Sequence, residues 1–259
     1  MMQPRILMIV PTLGIRSAYL RQSLESIASQ DTPADLVLVC PKEATQARRI
    51  ALQHNANVIE DPGSLPKAIN AGARQLQPHH EFINWLGDDD LLEPGSLTTT
   101  TRRLDACPNA TVAFGACRYI SEQNRQLWIS RAGKWAPRIL GWGPDLIPQP
   151  GMLVRADAWK KVNGVDESLT MAFDLDLLLK LKKLGPLVDC NQVLASFRWH
   201  TTSLTAADRA TNLTESEQVK RRYLSPAQKK LKWSWEAPVR LATKVAAREV
   251  ERRASSVAP

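Results

Sequence analysis

Asp88, Asp89 and Asp90 stand side by side directly after an apolar run, in the stretch FINWLGDDDLLEPGSL (residues 82–97). Three adjacent carboxylates repel one another. They belong either in a solvated turn, where water screens the repulsion, or around a cation that offsets it. A second carboxylate with chemical potential is Asp174, in MAFDLDLLLKL. It opens a segment with a leucine face, late lysines and Gly185 as a stop, and its simplest role is that of an Asp N-cap. Asp176 is about 200° further around such a helix, so the two carboxylates cannot enter one pocket.

The elements that must position these groups follow from hydrophobic spacing. RILMIVP (5–11), DLVLVCP (35–41), ANVIED (56–61) and EFINWLG (81–87) read as strands. Between them SAYLRQSLESIASQ, with Ser17 as candidate N-cap, EATQARRIALQHN and LPKAINAGARQL carry apolar residues at helical spacing. The alternation points to a parallel sheet with helices on its faces. In open sheets of this kind ligands bind beyond the carboxyl ends of the strands. Pro11, Thr12 and the aspartates all lie at such ends, so they can share one crevice.

The second half changes character. TVAFGACRYI and RQLWIS read as a hairpin, GMLVR as a short strand, ADAWKKV as a short helix and LVDCNQVLASFRWH as returning extended chain. The loop KWAPRILGWGPDLIPQPG is rich in Trp, Pro and Gly and reads as shaped rather than as a linker. Pro94 marks the start of another helix, over an odd TTTT run.

Composition excludes several classes. The chain has 259 residues, 44% hydrophobic and 23% charged, as expected of a globular domain with a full core. Its four cysteines are scattered, which suggests neither a zinc site nor a disulfide framework and fits reduced thiols in the cytosol. MMQPRILMIVP is too short for a signal peptide, and no stretch nears the roughly 18 apolar residues of a membrane span. The net charge of +8 resides in residues 220–259, with 11 basic and 3 acidic side chains; the first 219 residues hold 23 of each and balance. The basicity is therefore a property of the tail and says nothing about the ligand of the main domain.

The order of motifs resembles a known family. VPTLGIRSAYLRQSLESIASQ, SLPKAINAGA, WLGDDDLLEPGSL, IPQPGMLVRADAWKKVNGVDESLTMAFDLDLLLKL and FRWHTTSLT are similar to the family-2 glycosyltransferases of bacterial cell-surface glycan assembly, over about residues 5–205. The resemblance implies an α/β glycosyltransferase-A fold with a mostly parallel central sheet. It implies a nucleotide-diphosphate sugar donor, a glycan or lipid-linked acceptor, a magnesium or manganese ion, and inversion at the anomeric carbon. Nucleic acid is not an expected partner. The expected domains are a catalytic body over 1–205, with a donor half (1–110) and an acceptor half (111–205), and a basic helical extension over 206–259. Lipid-linked acceptors would place the protein in the cytoplasm, with the tail touching anionic lipid at the inner face of the cell membrane.

Residue roles follow from the same resemblance. The family's acidic motif falls on Gly87, Asp88 and Asp89, so its first acid is missing. Asp89 is then the main metal ligand, with Asp90 and His200 as further ligands and Asp88 beside the ribose, a metal-bound water or a basic group. Asp174 stands where the family carries its general base, which takes the acceptor proton as the new bond forms. The family often has Glu-Asp there, against Phe173-Asp174 in this chain. Pro11, Thr12 and Arg16 match the base- and ribose-contacting loop. Asp61 is the candidate reader of the nucleobase, its alternative being a turn before Pro62-Gly63. Gln149 lines the acceptor side, and Arg198 is a candidate partner for phosphate. Two other readings stay open: a nucleotidyltransferase on a related sheet, for which PTLGIRSAY is a poor phosphate loop, and a degenerate sugar-nucleotide-binding or scaffolding protein, which the replaced acids keep alive.

Overall fold

The structure is a computed structural model that describes residues 3–130, 133, 135–199, 209–225, 229–230 and 238. In chain order the elements are β1 (Ile6–Pro11), α1 (Ser17–Ala28), β2 (Ala34–Cys40), α2 (Thr45–Gln53), β3 (Asn57–Glu60), α3 (Leu65–Ala73), β4 (Phe82–Trp85), β5 (Leu91–Leu92), α4 (Ser96–Asp105), β6 (Val112–Ile120), β7 (Gln126–Ser130), α5 (Ala136–Ile139), β8 (Leu153–Arg155), α6 (Ala156–Lys161), α7 (Phe173–Leu184), β9 (Leu187–Arg198) and α8 (Arg209–Tyr223). Among the described residues no helix is long and apolar enough to cross a membrane.

One sheet organises the chain, in the order β3-β2-β1-β4-β8-β6-β9-β5, with β7 on β6. Its first half is parallel, as the alternation of strand and helix predicts: β1 pairs in parallel with both β2 and β4, and β3 with β2. The second half mixes directions. β8 is antiparallel to β4 and β6, the hairpin partner β7 is antiparallel to β6, and β9 runs parallel to β6. The two halves meet at β4–β8, which is why the sheet is mixed rather than mostly parallel. Two-residue β5 forms only by pairing Leu91 and Leu92 with Ser196 and Ala195 of β9.

Alternation along β1 sends its side chains to two cores. Leu7 and Ile9 pack with α3, α6 and α7 on one face, while Ile6, Met8 and Val10 pack with α1, α2 and α4 on the other. Both faces are covered, so the strand reads as one apolar run. Burying each such side chain contributes about 1.5–3 kcal/mol. Helix α8 belongs to this body: Val219 is fully buried in the α3/α6/α7 core. Of the tail expected to contact the membrane, residues 226–228, 231–237 and 239–259 lie outside the described residues.

Helix starts depart from the expectations in detail. Arg16, not Ser17, precedes α1 as its cap residue, and α4 begins at Ser96 behind a left-handed Gly95 rather than at Pro94. Asp174 is not a cap: Ala172 is the boundary residue of α7, and Asp174 sits inside the first turn.

Candidate active site

The register of the parallel strands builds the site. Ile9 lies opposite Trp85, and Leu86 N–H still donates to the Ile9 carbonyl (2.9 Å). Continuing that register brings Thr12 opposite Asp88. The Thr12 hydroxyl indeed donates a short hydrogen bond to Asp88 Oδ2, while its oxygen accepts Gly14 N–H at 2.9 Å. Thr12 N–H donates to the Val39 carbonyl, which ties the same loop to β2.

Arg16 leans across this loop. Its Nη1 is 2.9 Å from Asp89 Oδ2 and 3.7 Å from Asp88 Oδ1. Pro11, Thr12, Arg16, Asp88 and Asp89 are thus one cluster at the carboxyl ends of β1 and β4. The acidic turn is held from behind by Arg198, which is fully buried. Its Nε donates to the Asp89 carbonyl (2.9 Å), Nη2 to Gln22 Oε1 (2.8 Å) and Nη1 to Asn124 Oδ1 (2.5 Å), and the guanidinium lies 4.3 Å from the Tyr19 ring centroid. Its main-chain N–H donates to Asp90 Oδ1. Arg198 is therefore a structural anchor and not the phosphate partner its position suggested. Asp90 is buried too. Burial, reinforced by the charge of Asp89, pushes its carboxyl well above the usual range.

Gly87 explains how the carboxylates pack so closely. A Cβ there would lie 2.8 Å from Asp89 Oδ1 and 3.1 Å from Asp90 Oδ2. The bare Cα leaves a cradle onto which two carboxylate oxygens converge, and the first acid of the motif would itself fill that space.

Asp61 makes the turn: its Oδ1 accepts Gly63 N–H at 2.9 Å. Gln149 is half-buried and ties its loop to β4, donating to the Trp85 carbonyl (2.8 Å) and to Asn84 Oδ1 (3.2 Å). His200 lies outside the described residues.

The helix that carries Asp174 packs on β4 through Phe173, the residue before it. The Phe173 ring packs against Trp85, two residues before Gly87, with centroids 6.2 Å apart. Asp174 is half-buried and Oδ1 accepts Leu175 N–H. Burial pushes its carboxyl up to about 6, against the pull of its backbone hydrogen bonds. Burial and the charge of Asp174 also push Asp145 up. Solvent reaches Asp145, which blunts that effect. Asp176 is turned away as the helical angle requires: it accepts from Tyr223 Oη (2.6 Å) and pairs with Lys180 (2.7 Å).

Sequence reasoning missed what precedes Asp174. Glu215 of α8 accepts the N–H groups of Thr170 (2.9 Å), Met171 (2.6 Å) and Ala172 (2.7 Å). Burial pushes this carboxyl up, but the three backbone bonds outweigh it and hold the group below its usual value. Nothing local in the sequence marks a cap delivered from more than forty residues away.

A second group of ligand-type side chains sits at the opposite, amino-terminal end of β2. Asp35, His79 and His80 place their donor atoms within 4.8 Å of one another. Both Nε2 atoms lie on Asp35 Oδ2, at 3.1 and 2.9 Å. However, His80 Nδ1 accepts Gln77 N–H at 2.9 Å. A neutral ring then carries its proton on Nε2, which donates to Asp35 and has no lone pair for a metal. The trio is a strap that fixes the turn before β4.

With this geometry established, the comparisons are specific about the fold. No family model matches the chain. It is 22% identical, over 196 residues, to an uncharacterized glycosyltransferase of Rickettsia conorii; the match spans 71% of this chain and 32% of that relative. Its structure is similar to that of a TarS fragment from S. aureus in complex with UDP-GlcNAc, with a TM-score of 0.65, 18% identity, and coverage of 83% of this chain and 65% of that one. It is equally similar to the mannosyltransferase PcManGT from Pyrobaculum calidifontis in complex with GDP-Man and Mn2+, with a TM-score of 0.65, 17% identity, and coverage of 100% and 77%. This chain has the glycosyltransferase-A fold. The expected architecture stands, with the mixed second half as its refinement. The chain spans about a third of the length of the first curated relatives it matches, at 32% and 35%.

Proposed function

We propose that the chain is a glycosyltransferase that moves a sugar from a nucleotide-diphosphate donor to an acceptor hydroxyl, with inversion at the anomeric carbon. The observation that carries the reading is the cluster of Thr12, Arg16, Asp88 and Asp89 at the carboxyl ends of β1 and β4, with the Asp174 helix packed on Trp85 beside it. The similar structures hold UDP-GlcNAc in one case, and GDP-Man with Mn2+ in the other, which supports a nucleotide-sugar donor.

The residues fit a divalent cation. The Gly87 cradle gathers Asp89 Oδ1 and Asp90 Oδ2, and the guanidinium of Arg16 already occupies a cation's position against Asp89 and Asp88. Asp89 is the principal ligand in this reading and Asp90 the second. Such an ion, when bound, offsets the charge gathering on the departing diphosphate. Arg16 adds a donor fork suited to phosphate oxygens. Thr12 fixes Asp88, and the loop after β1 shapes the nucleoside side. Asp174 acts as the base. With a carboxyl near pH 6 it is ionised at neutral pH, yet a better proton acceptor than an ordinary aspartate. It accepts the proton of the acceptor hydroxyl while that oxygen attacks the anomeric carbon from the face opposite the leaving diphosphate. In this reading residues 1–110 serve the donor and 111–205 the acceptor, with α8 packed on the acceptor half.

The test is release of nucleoside diphosphate from UDP-GlcNAc, GDP-mannose and a wider donor panel, with and without manganese. Release by the wild type, lost in folded Asp89→Ala and Asp174→Asn variants, is the expected result. Wild-type turnover by a folded Asp174→Asn would remove the base assignment. Absence of turnover and of any donor-induced thermal shift would remove the enzyme.

A further inference from the structure

The N–H groups of Thr170, Met171 and Ala172 point together into one spot, and a carboxylate from α8 fills it. Three successive amides aimed at one anion form a concave backbone nest. Here the nest lies directly before the first turn of α7, which carries Asp174. We infer that Glu215 is a positioning residue for Asp174: by clasping residues 170–172 it fixes the backbone from which the base is presented to the acceptor. The inference rests on the reading of Asp174 as base.

The rest of α8 supports a clasp with several points of attachment. Lys220 Nζ donates to the Gly143 carbonyl at 2.6 Å, two residues before Asp145. Arg222 pairs with Asp166 at 2.8 Å, and Tyr223 hydrogen-bonds Asp176 on the far side of α7. Val219 anchors the helix in the core. Through side-chain bonds α8 thus holds both the loop before the base and the Gly143 loop. The helix thus sets the distance between the two sides of the acceptor space.

The electrostatics give the clasp a readable signature. Among the described residues, the charged groups facing Asp174 are Glu215 from α8 and Asp145 from the loop before β8. Arg222 stands near Glu215, and Lys220 near Asp145. The negative charge of Glu215 raises the Asp174 carboxyl, so removing that charge lowers it. A base works only when ionised. The acid limb of the turnover profile, near pH 6 in the wild type, must therefore move to lower pH.

The experiment compares wild type, Glu215→Gln and Glu215→Ala on the donor that the panel identifies, with Asp174→Asn as control. Glu215→Ala is expected to lose turnover by about tenfold to a hundredfold, the scale of a subångström to ångström misplacement, with the donor KM nearly unchanged. Glu215→Gln retains a side-chain carbonyl for the nest. It is expected to regain most of the turnover while still showing the displaced acid limb, which loss of folding alone does not produce. If Glu215→Ala does not fold, the limb of the Gln variant decides. Wild-type turnover and an unmoved limb in folded Gln and Ala variants, with Asp174→Asn inactive, would overturn the clasp and leave the base in place. A folded, fully active Asp174→Asn would overturn both.

Discussion

Asp174→Asn should make the protein more stable at neutral pH while removing its turnover. The wild-type carboxyl is raised from an ordinary 3.8 to about 6. An acid whose folded-state value lies above its unfolded one binds its proton more tightly when folded. Its contribution is therefore fully present below about pH 3.8 and is lost as the pH rises through about 6. The rise is roughly two pH units, and at about 1.4 kcal/mol per unit it sets a ceiling of about 3 kcal/mol. The open edge of the side chain lets solvent recover part of this, which leaves about 1–2 kcal/mol. Asparagine keeps the oxygen that accepts Leu175 N–H and has no charge to desolvate. The variant should match wild type in urea denaturation near pH 3.8, then gain progressively and level off above pH 7. Both curves should be measured at pH 4, 5, 6 and 7.5 under one salt condition. A variant no more stable than wild type at pH 7.5 would refute the argument that burial strains this carboxylate. Such a cost is the exchange of stability for activity that the proposed base role of Asp174 entails.

Two other outcomes follow from the donor side. Gly87→Ala should fold, because the atoms in its way are the ends of two side chains, but it must push Asp89 Oδ1 from 2.8 Å out toward an ordinary 3.4 Å. Titration of manganese with nucleoside diphosphate should show affinity lowered by about tenfold, and unchanged affinity would show that the cradle is not a ligand site. Arg198→Leu should cost about 1–3 kcal/mol in denaturant melts, since it removes the buried donor to the Asp89 carbonyl, while half-buried Gln22 and exposed Asn124 can turn to water; a loss under about 0.5 kcal/mol, of the order expected at a neutral surface site, would show that water replaces it throughout.

What was legible in the sequence was what local spacing encodes. The four parallel strands follow from short continuous apolar runs and the three intervening helices from apolar spacing of period 3.6, and the strand ends bring Thr12 to the aspartates. The hairpin of β6 and β7 was visible for the same reason. β5 was not, because two leucines have no period and become a strand only through β9. Asp174 looked like a cap because its type fits one, whereas the actual acceptor for the amides before α7 is Glu215. Arg198 looked like a phosphate partner because arginine usually is exposed; its burial depends on Gln22, Asn124 and Tyr19, which are distant in sequence. α8 gave no apolar stripe to read, since its side-chain attachments, Val219 apart, are mostly polar.

The tip between β6 and β7 has an uncommon status for a surface hairpin. Such tips are ordinarily where a chain accepts extra residues, because nothing else depends on their shape. Here the carbonyls of Ser121 and Glu122 and the side chain of Asn124 all receive hydrogens from the guanidinium that also grips the acidic turn. A peptide tag spliced between Ser121 and Arg125 would therefore be felt at the acidic turn of Asp88–Asp90, and engineers seeking a permissive insertion point should look to another loop.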